Sequence, residues 1–267
     1  MSKKFKGIKT GVIGVGNMGK YHVEKYFNNS SLVGIFDTNL DLSNSLARKY
    51  GCLSYDNLDS LLLDVDAVSI CVPTYLHDSI FAKVVHNGVH SLVEKPLSSD
   101  IISGQKMLEL SKENNIVTAV GHIERFNPVN DAILRELKKD SNSSILSLIF
   151  RRFSPRPVQI NDVSVIMDTA IHDLDLSNSF LGKNNVKVDA FGILDKKSNT
   201  INQADILLRY DNGISSICQS SWYSPAKVRD VEIMTSSKII KASYLDSSIR
   251  ILEFDNKEYS YIVEKED

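Results

Sequence analysis

The sequence predicts an α/β protein in two parts: a doubly wound parallel sheet, then an α+β domain with antiparallel strands. Three observations carry this. The first third alternates short Val/Ile-rich runs, without polar alternation, with helical patterns, as a parallel sheet buried on both faces requires. A glycine-rich turn, Gly14-Val15-Gly16-Asn17-Met18-Gly19, joins the first run directly to the first helical pattern. Beyond Gly121 the pattern changes to alternating apolar and polar residues, as in Ile206, Leu208 and Tyr210, which suits an antiparallel sheet with one covered face.

Taken in order, 8–15 reads as strand, 20–27 as helix, 32–36 as strand, 41–50 as helix and 67–72 as strand. Helix over 79–87, strand over 91–93, helix over 99–114 and strand over 116–120 complete the first part. In the second part a helix spans 128–139, with Pro128 at its start, where proline is tolerated. A helical pattern over 164–181 is followed by consecutive strands from Val186 onward, including Val231 with Ile233 and Ile249 with Ile251. Asp211-Asn212-Gly213 is a turn between two of these strands. The domain boundary is expected near Gly121, giving 1–121 and 122–267.

A length of 267 residues suits two domains of ordinary size. With 42% hydrophobic and 24% charged residues the composition is that of a globular protein with a full core. The 31 basic and 33 acidic side chains leave a formal charge of −2, and the Lys3, Lys4, Lys6, Lys9 start is too short for a basic arm, so no nucleic-acid partner is expected. Cys52, Cys71 and Cys218 are odd in number and far apart, which argues against a disulfide framework or a zinc ligand set. No apolar leader precedes the first strand. The most apolar stretch, 61–72, carries Asp64 and Asp66 and is too short to span a bilayer. A soluble cytoplasmic protein is the expectation.

The glycine turn has the form G-x-G-x-x-G between a strand and a helix, where glycines allow close backbone approach and the helix N-terminus attracts a pyrophosphate. Asp37 ends the second strand, 18 residues beyond Gly19, placed to accept a ribose 2′-hydroxyl; a carboxylate there repels a 2′-phosphate, so NAD is expected over NADP. Pro73-Thr74 and Glu94-Lys95-Pro96 follow strands at their carboxyl ends, where open α/β sheets bind ligands. Asp168 and His172 stand four residues apart in a helical pattern, on one face, and histidine exchanges protons near neutral pH. Asp173 and Asp175 read as a solvated acidic face. No second histidine stands at ligand spacing, so no metal is expected.

These residues together, with Cys71-Val72-Pro73-Thr74 and His77, resemble the Gfo/Idh/MocA family of oxidoreductases over essentially the whole chain. The resemblance implies a Rossmann domain followed by an α+β domain with a large open, mostly antiparallel sheet. It implies catalytic roles for three residues: Lys95 beside the reacting hydroxyl, His172 as acid/base and Asp168 as the carboxylate contacting substrate. It places Gly14, Gly16, Asn17, Met18, Gly19, Asp37, Pro73, Thr74, His77, Glu94 and Lys95 around NAD.

A narrower resemblance, to the branch of UDP-N-acetylglucosamine 3-dehydrogenases, is carried by three segments: Gly121 to Pro128; Asp162-Val163 leading into 168–175; and Trp222 to Lys227 with Arg229. It implies a nucleotide-sugar substrate whose diphosphate meets Arg125, Lys227 and Arg229, beside Lys95, Asp168 and His172. The residues alone also allow Arg125 to brace the domain junction and the other two to be a solvated strand edge. The C-terminus is shorter than in many family members. Family members commonly pair sheet to sheet, so a homodimer or tetramer through the C-terminal sheet is expected, and the ketone product suits a downstream aminotransferase. Oxidation of a free polyol such as an inositol is the alternative reaction. A non-catalytic dinucleotide-binding sensor is the alternative from another class, against which Lys95, Asp168 and His172 weigh.

Overall fold

The computed structural model describes residues 7–140, 143–157, 163–182, 186–254 and 257–263. The chain divides into two compact units, 1–121 and 122–267. In the first, strands β1 (Lys9–Ile13), β2 (Ser31–Phe36), β3 (Leu53–Tyr55), β4 (Ala67–Ile70), β5 (His90–Val93) and β6 (Thr118–Val120) form one parallel sheet in the order β3-β2-β1-β4-β5-β6. This is the Rossmann order, which reverses its winding between β1 and β4 and opens a crevice outside the strand carboxyl ends.

Helices α1 (Asn17–Asn29), α2 (Leu40–Tyr50), α3 (Leu58–Asp64), α4 (His77–His86) and α5 (Ile101–Glu113) connect the strands. Their starts follow local chemistry: Asn39 accepts from the Leu42 N–H (3.1 Å), Asn57 from Asp59 (2.8 Å) and Asp100 from Ser103 (2.9 Å), filling donors a helix start leaves open. Val12, Ile13, Ile35, Val68, Ile70 and Val93 are fully buried, as the strand runs demand. Strand β3 and helix α3 were not expected from the sequence. The first is three residues long, and the second overlaps the start of the apolar stretch 61–72, a start that the sequence reading weighs only as part of a membrane span.

The second unit holds α6 (Pro128–Lys138), β7 (Ile145–Pro155), α7 (Ile171–Leu181), β8 (Val186–Asp195), β9 (Thr200–Tyr210), β10 (Ser215–Ser221), β11 (Tyr223–Thr235), β12 (Lys238–Ser243), β13 (Ser248–Glu253) and β14 (Glu258–Ile262). Its eight strands run β14-β13-β12-β11-β7-β10-β9-β8, antiparallel throughout except β7 against β10. Helices α6 and α7 pack on one face, over Leu148, Phe150, Ile206, Cys218, Ile233 and Ile240. The alternate residues Ile149, Phe153, Leu207, Ile217 and Val228 are half-buried on the other face, with Phe191 and Met234 exposed.

Two expectations change here. Strand β7 lies at the centre of the sheet although the sequence reading places no strand there; its apolar run ends in Arg151-Arg152, a pair that suggests surface, yet Arg152 is buried against an acidic partner. The continuous helix over 164–181 is a π-helical turn at Ile166–Ala170 running into α7, so Asp168 stands in a widened turn rather than at regular α spacing from His172. The turn at 211–213 is present, with Gly213 at φ +83° and its N–H donated to the Tyr210 carbonyl at 3.0 Å.

Candidate active site

In the first unit the glycine turn joins β1 to α1. Gly14 adopts φ +81°, and a Cβ there would sit 2.9 Å from the Cys71 carbonyl. A Cβ on Gly19 would lie 2.9 Å from the Gly14 carbonyl carbon and closer still to its oxygen. Gly16 differs: a Cβ there meets nothing within 4 Å. Two glycines thus let helix and strand approach, and the third, at the N-cap of α1, faces open space and itself brings no side chain to cap the first N–H groups. This glycine cradle fits the pyrophosphate of a dinucleotide.

Asp37 follows β2 and steadies the same turn, accepting the Val15 N–H at 2.7 Å and the Asn39 N–H at 2.8 Å. Its carboxylate remains half-buried, with lone pairs left for a ribose hydroxyl. Asn17 and Met18 are exposed at the start of α1. Pro73 and Thr74 open a 3-10 turn after β4.

Lys95 is half-buried one residue beyond Glu94, which follows β5. Its N–H donates to Glu94 Oε2 at 3.1 Å, while Glu94 Oε1 receives His22 Nε2 at 2.9 Å. Burial pushes the Glu94 carboxyl up, but His22 and the Lys95 amide outweigh it and hold it below the ordinary glutamate value. His77, placed by resemblance beside the cofactor, is buried, and its ring nitrogens face the Pro96, Leu97 and Val72 carbonyls at 3.0, 3.2 and 3.0 Å.

In the second unit Asp168 and His172 are both half-buried, and the Thr169 hydroxyl donates to Asp168 Oδ2 at 3.2 Å. The acidic face expected around Asp173 and Asp175 is corrected. Asp173 is only 1% exposed because Arg152 donates Nε (3.0 Å) and Nη2 (2.8 Å) to its Oδ1, and Nη1 to Glu124 (3.2 Å). Burial opposes the Arg152 charge, yet Asp173 and Glu124 outweigh it and raise its pKa. Asp175 forms a two-bond fork with Arg125, at 2.7 and 2.5 Å, and His122 Nδ1 stands 3.8 Å away. The 3-10 turn at Ile123–Phe126, β7 and α7 are therefore joined by charge pairs.

Lys227 and Arg229 are exposed on β11, and Arg229 lies opposite Arg152 in the ladder with β7. Asp162 lies outside the described residues, as do Lys3, Lys4 and Lys6. Among the described residues no group of three or more His, Cys, Asp or Glu side chains is arranged to hold a metal ion, and no helix is long and apolar enough to cross a membrane. The sequence reading missed His22 and Arg152. His22 has a signal in its spacing, three residues past Gly19 and one before buried Val23, on the inner side of α1.

A family model described as "Oxidoreductase family, NAD-binding Rossmann fold" matches residues 8–122, and one described as "GFO/IDH/MocA C-terminal domain" matches residues 153–241. The chain is 31% identical over 244 residues to UDP-N-acetylglucosamine 3-dehydrogenase of Acidithiobacillus ferrooxidans, covering 91% of this chain and 76% of that protein. A crystal structure of that enzyme superposes with a TM-score of 0.88 at 30% identity, over 97% of this chain and 84% of the other. Myo-inositol 2-dehydrogenase of Thermotoga maritima is 27% identical over 232 residues, covering 80% of this chain and 68% of that protein.

Proposed function

The chain belongs to the Gfo/Idh/MocA family of NAD-binding oxidoreductases, and from that premise we propose that it oxidises the 3-hydroxyl of UDP-N-acetylglucosamine, or of a related nucleotide sugar, to a ketone. The observation that carries this reading is the chain-wide similarity, in sequence and in fold, to the UDP-N-acetylglucosamine 3-dehydrogenase. NAD, when bound, supplies the hydride acceptor. Gly14, Gly16 and Gly19 admit its pyrophosphate, with Asn17 and Met18 at the helix start, and Asp37 takes the adenine ribose and disfavours a 2′-phosphate. Pro73 and Thr74 border the nicotinamide end.

Lys95 polarises the sugar oxygen and favours its developing negative charge. His172 takes the hydroxyl proton as the carbon loses hydride, and Asp168 orients the sugar beside it. Lys227 and Arg229, exposed on β11, meet the diphosphate, and Arg125 contributes the guanidinium N–H groups that Asp175 does not occupy. The ketone formed is a substrate for an aminotransferase. A second copy of the chain covers the open face of the eight-stranded sheet, where Ile149, Phe153, Leu207 and Ile217 stand half-buried and Phe191 is exposed. Three free cysteines fit a reducing cytoplasm.

The Arg125–Asp175 fork favours a second reading, oxidation of a free polyol, because a guanidinium already paired is a weaker phosphate ligand. Purified protein with NAD is mixed separately with UDP-N-acetylglucosamine, N-acetylglucosamine and myo-inositol, with an aminotransferase and its amino donor present to draw off ketone. Reduced nicotinamide from the UDP sugar alone supports the proposal. Turnover of free N-acetylglucosamine or myo-inositol at the same rate favours the polyol reading.

A further inference from the structure

Lys95 follows a residue held by one histidine and precedes residues held by another. On the near side, Glu94 Oε1 receives His22 Nε2 at 2.9 Å, and Glu94 Oε2 receives the Lys95 N–H. His22 belongs to α1, the helix that begins at the glycine turn. Its Nδ1 lies 2.8 Å from the Ser69 hydroxyl, which donates to Tyr26 at 2.7 Å, so α1, β4 and the end of β5 form one polar chain. A Cβ on Gly121 would sit 3.0 Å from Glu94 Oε1, so the carboxylate is also packed from the end of β6. On the far side His77, in the first turn of α4, presents Nδ1 to the Pro96 and Leu97 carbonyls and Nε2 to the Val72 carbonyl. With His77 1% exposed and Glu94 8% exposed, neither clasp competes with much water.

We propose that His22 and His77 are positioning residues for Lys95, His22 by holding the Glu94 side chain and His77 by holding the Pro96 and Leu97 carbonyls. The inference rests on the catalytic role proposed for Lys95. Both act through intermediates: His22 through the Glu94 carboxylate that takes the Lys95 N–H, and His77 through the Pro96 and Leu97 carbonyls, and α1 thereby ties the dinucleotide turn to the Lys95 segment. A misplacement of about 1 Å at a reacting group costs up to about 100-fold in rate, so the clasps act on turnover rather than on affinity.

The two ring nitrogens make the test specific. An asparagine amide nitrogen falls near Nδ1 of the histidine it replaces, and a glutamine amide nitrogen near Nε2. Glu94 faces Nε2 of His22, whereas Pro96 and Leu97 face Nδ1 of His77. His22→Gln is therefore expected to turn over at least about tenfold faster than His22→Asn, and at position 77 the order reverses, His77→Asn exceeding His77→Gln by a similar factor. The sugar KM and the NAD dissociation constant move little within either pair. Hydrogen exchange of the protein without cofactor supplies an independent reading, with the Lys95 amide exchanging faster in His22→Asn than in His22→Gln.

The same residue order at both positions, or turnover that tracks only the thermal midpoint, overturns the proposal. Where a variant is too unstable to assay, Lys95 amide exchange in the His22 pair decides, and equal exchange overturns it. Lys95→Met serves as the control for the underlying reading. Wild-type turnover in that variant removes the catalytic role, while the exchange measurement still tests the clasp.

Discussion

Replacing Gly16 and Gly19 separately by alanine distinguishes cofactor approach from folding. At Gly19 the added Cβ lies 2.9 Å from the Gly14 carbonyl carbon and nearer still to its oxygen. Both atoms are backbone, in a turn already committed to φ +81°, so α1 must move away from β1 by roughly an ångström. Overpacking of that kind costs about 1–3 kcal/mol, or more where backbone cannot yield. For a chain of this size that lowers the melting midpoint by roughly 2–12 °C. At Gly16 the Cβ meets nothing within 4 Å, and the fold loses less than about 1 kcal/mol from the poorer helix cap. In the proposed cofactor site the methyl stands where the pyrophosphate would approach, so NAD affinity is expected to fall at least about tenfold, equivalent to about 1.4 kcal/mol. Thermal melts and NAD titration by calorimetry measure the two effects. Wild-type NAD affinity in Gly16→Ala together with a wild-type midpoint in Gly19→Ala would refute the reasoning.

Three further outcomes follow from the site. Arg152→Met leaves the buried Asp173 carboxylate without its partner and is expected to cost about 3–5 kcal/mol of stability in denaturant melts, with Arg152→Met/Asp173→Asn recovering part of it; equal losses in the single and double variants would contradict the pairing. Glu136, buried on α6, accepts from Lys139 (2.7 Å), Tyr259 (3.0 Å) and Tyr261 (2.9 Å). Burial pushes the Glu94 and Glu136 carboxyls up, but hydrogen bonds hold both below the ordinary glutamate value when folded, so their contribution is complete above that value and is lost as pH falls through the lower folded-state values. Melting midpoints are therefore expected to fall on acidification below about pH 4, less steeply in Glu136→Gln; a midpoint that rises there would oppose the assignment. Lys95→Met is expected to lower turnover at least about 100-fold with NAD affinity near wild type, whereas a parallel loss of NAD binding would make Lys95 a cofactor ligand first.

The first unit was readable because its signals are local. A Val/Ile run, three glycines and a terminal aspartate lie within Ile8 to Asp37, and each has its own backbone or hydrogen-bond reason. The resemblance to Gfo/Idh/MocA proteins rests on the glycines and Asp37 with Cys71-Val72-Pro73-Thr74, His77, Glu94-Lys95-Pro96, and Asp168 with His172, and the family models match both parts of the chain. Strand β7 was not readable because Arg152 is a core residue only by virtue of Asp173, 21 positions away, and neither residue alone carries a sign of burial. For the same reason Asp173 and Asp175 read as solvated acids, although Arg152 and Arg125 pair with them. The π-helical turn around Asp168 has no compositional mark that separates it from α-helix.

The function turns on which carbon loses hydride. UDP-N-acetylglucosamine carrying deuterium at C3, incubated with the protein and NAD, and mass analysis of the reduced nicotinamide, test this most directly. Deuterium on the nicotinamide is the expected result. Unlabelled reduced nicotinamide, or none while myo-inositol is oxidised, would contradict it.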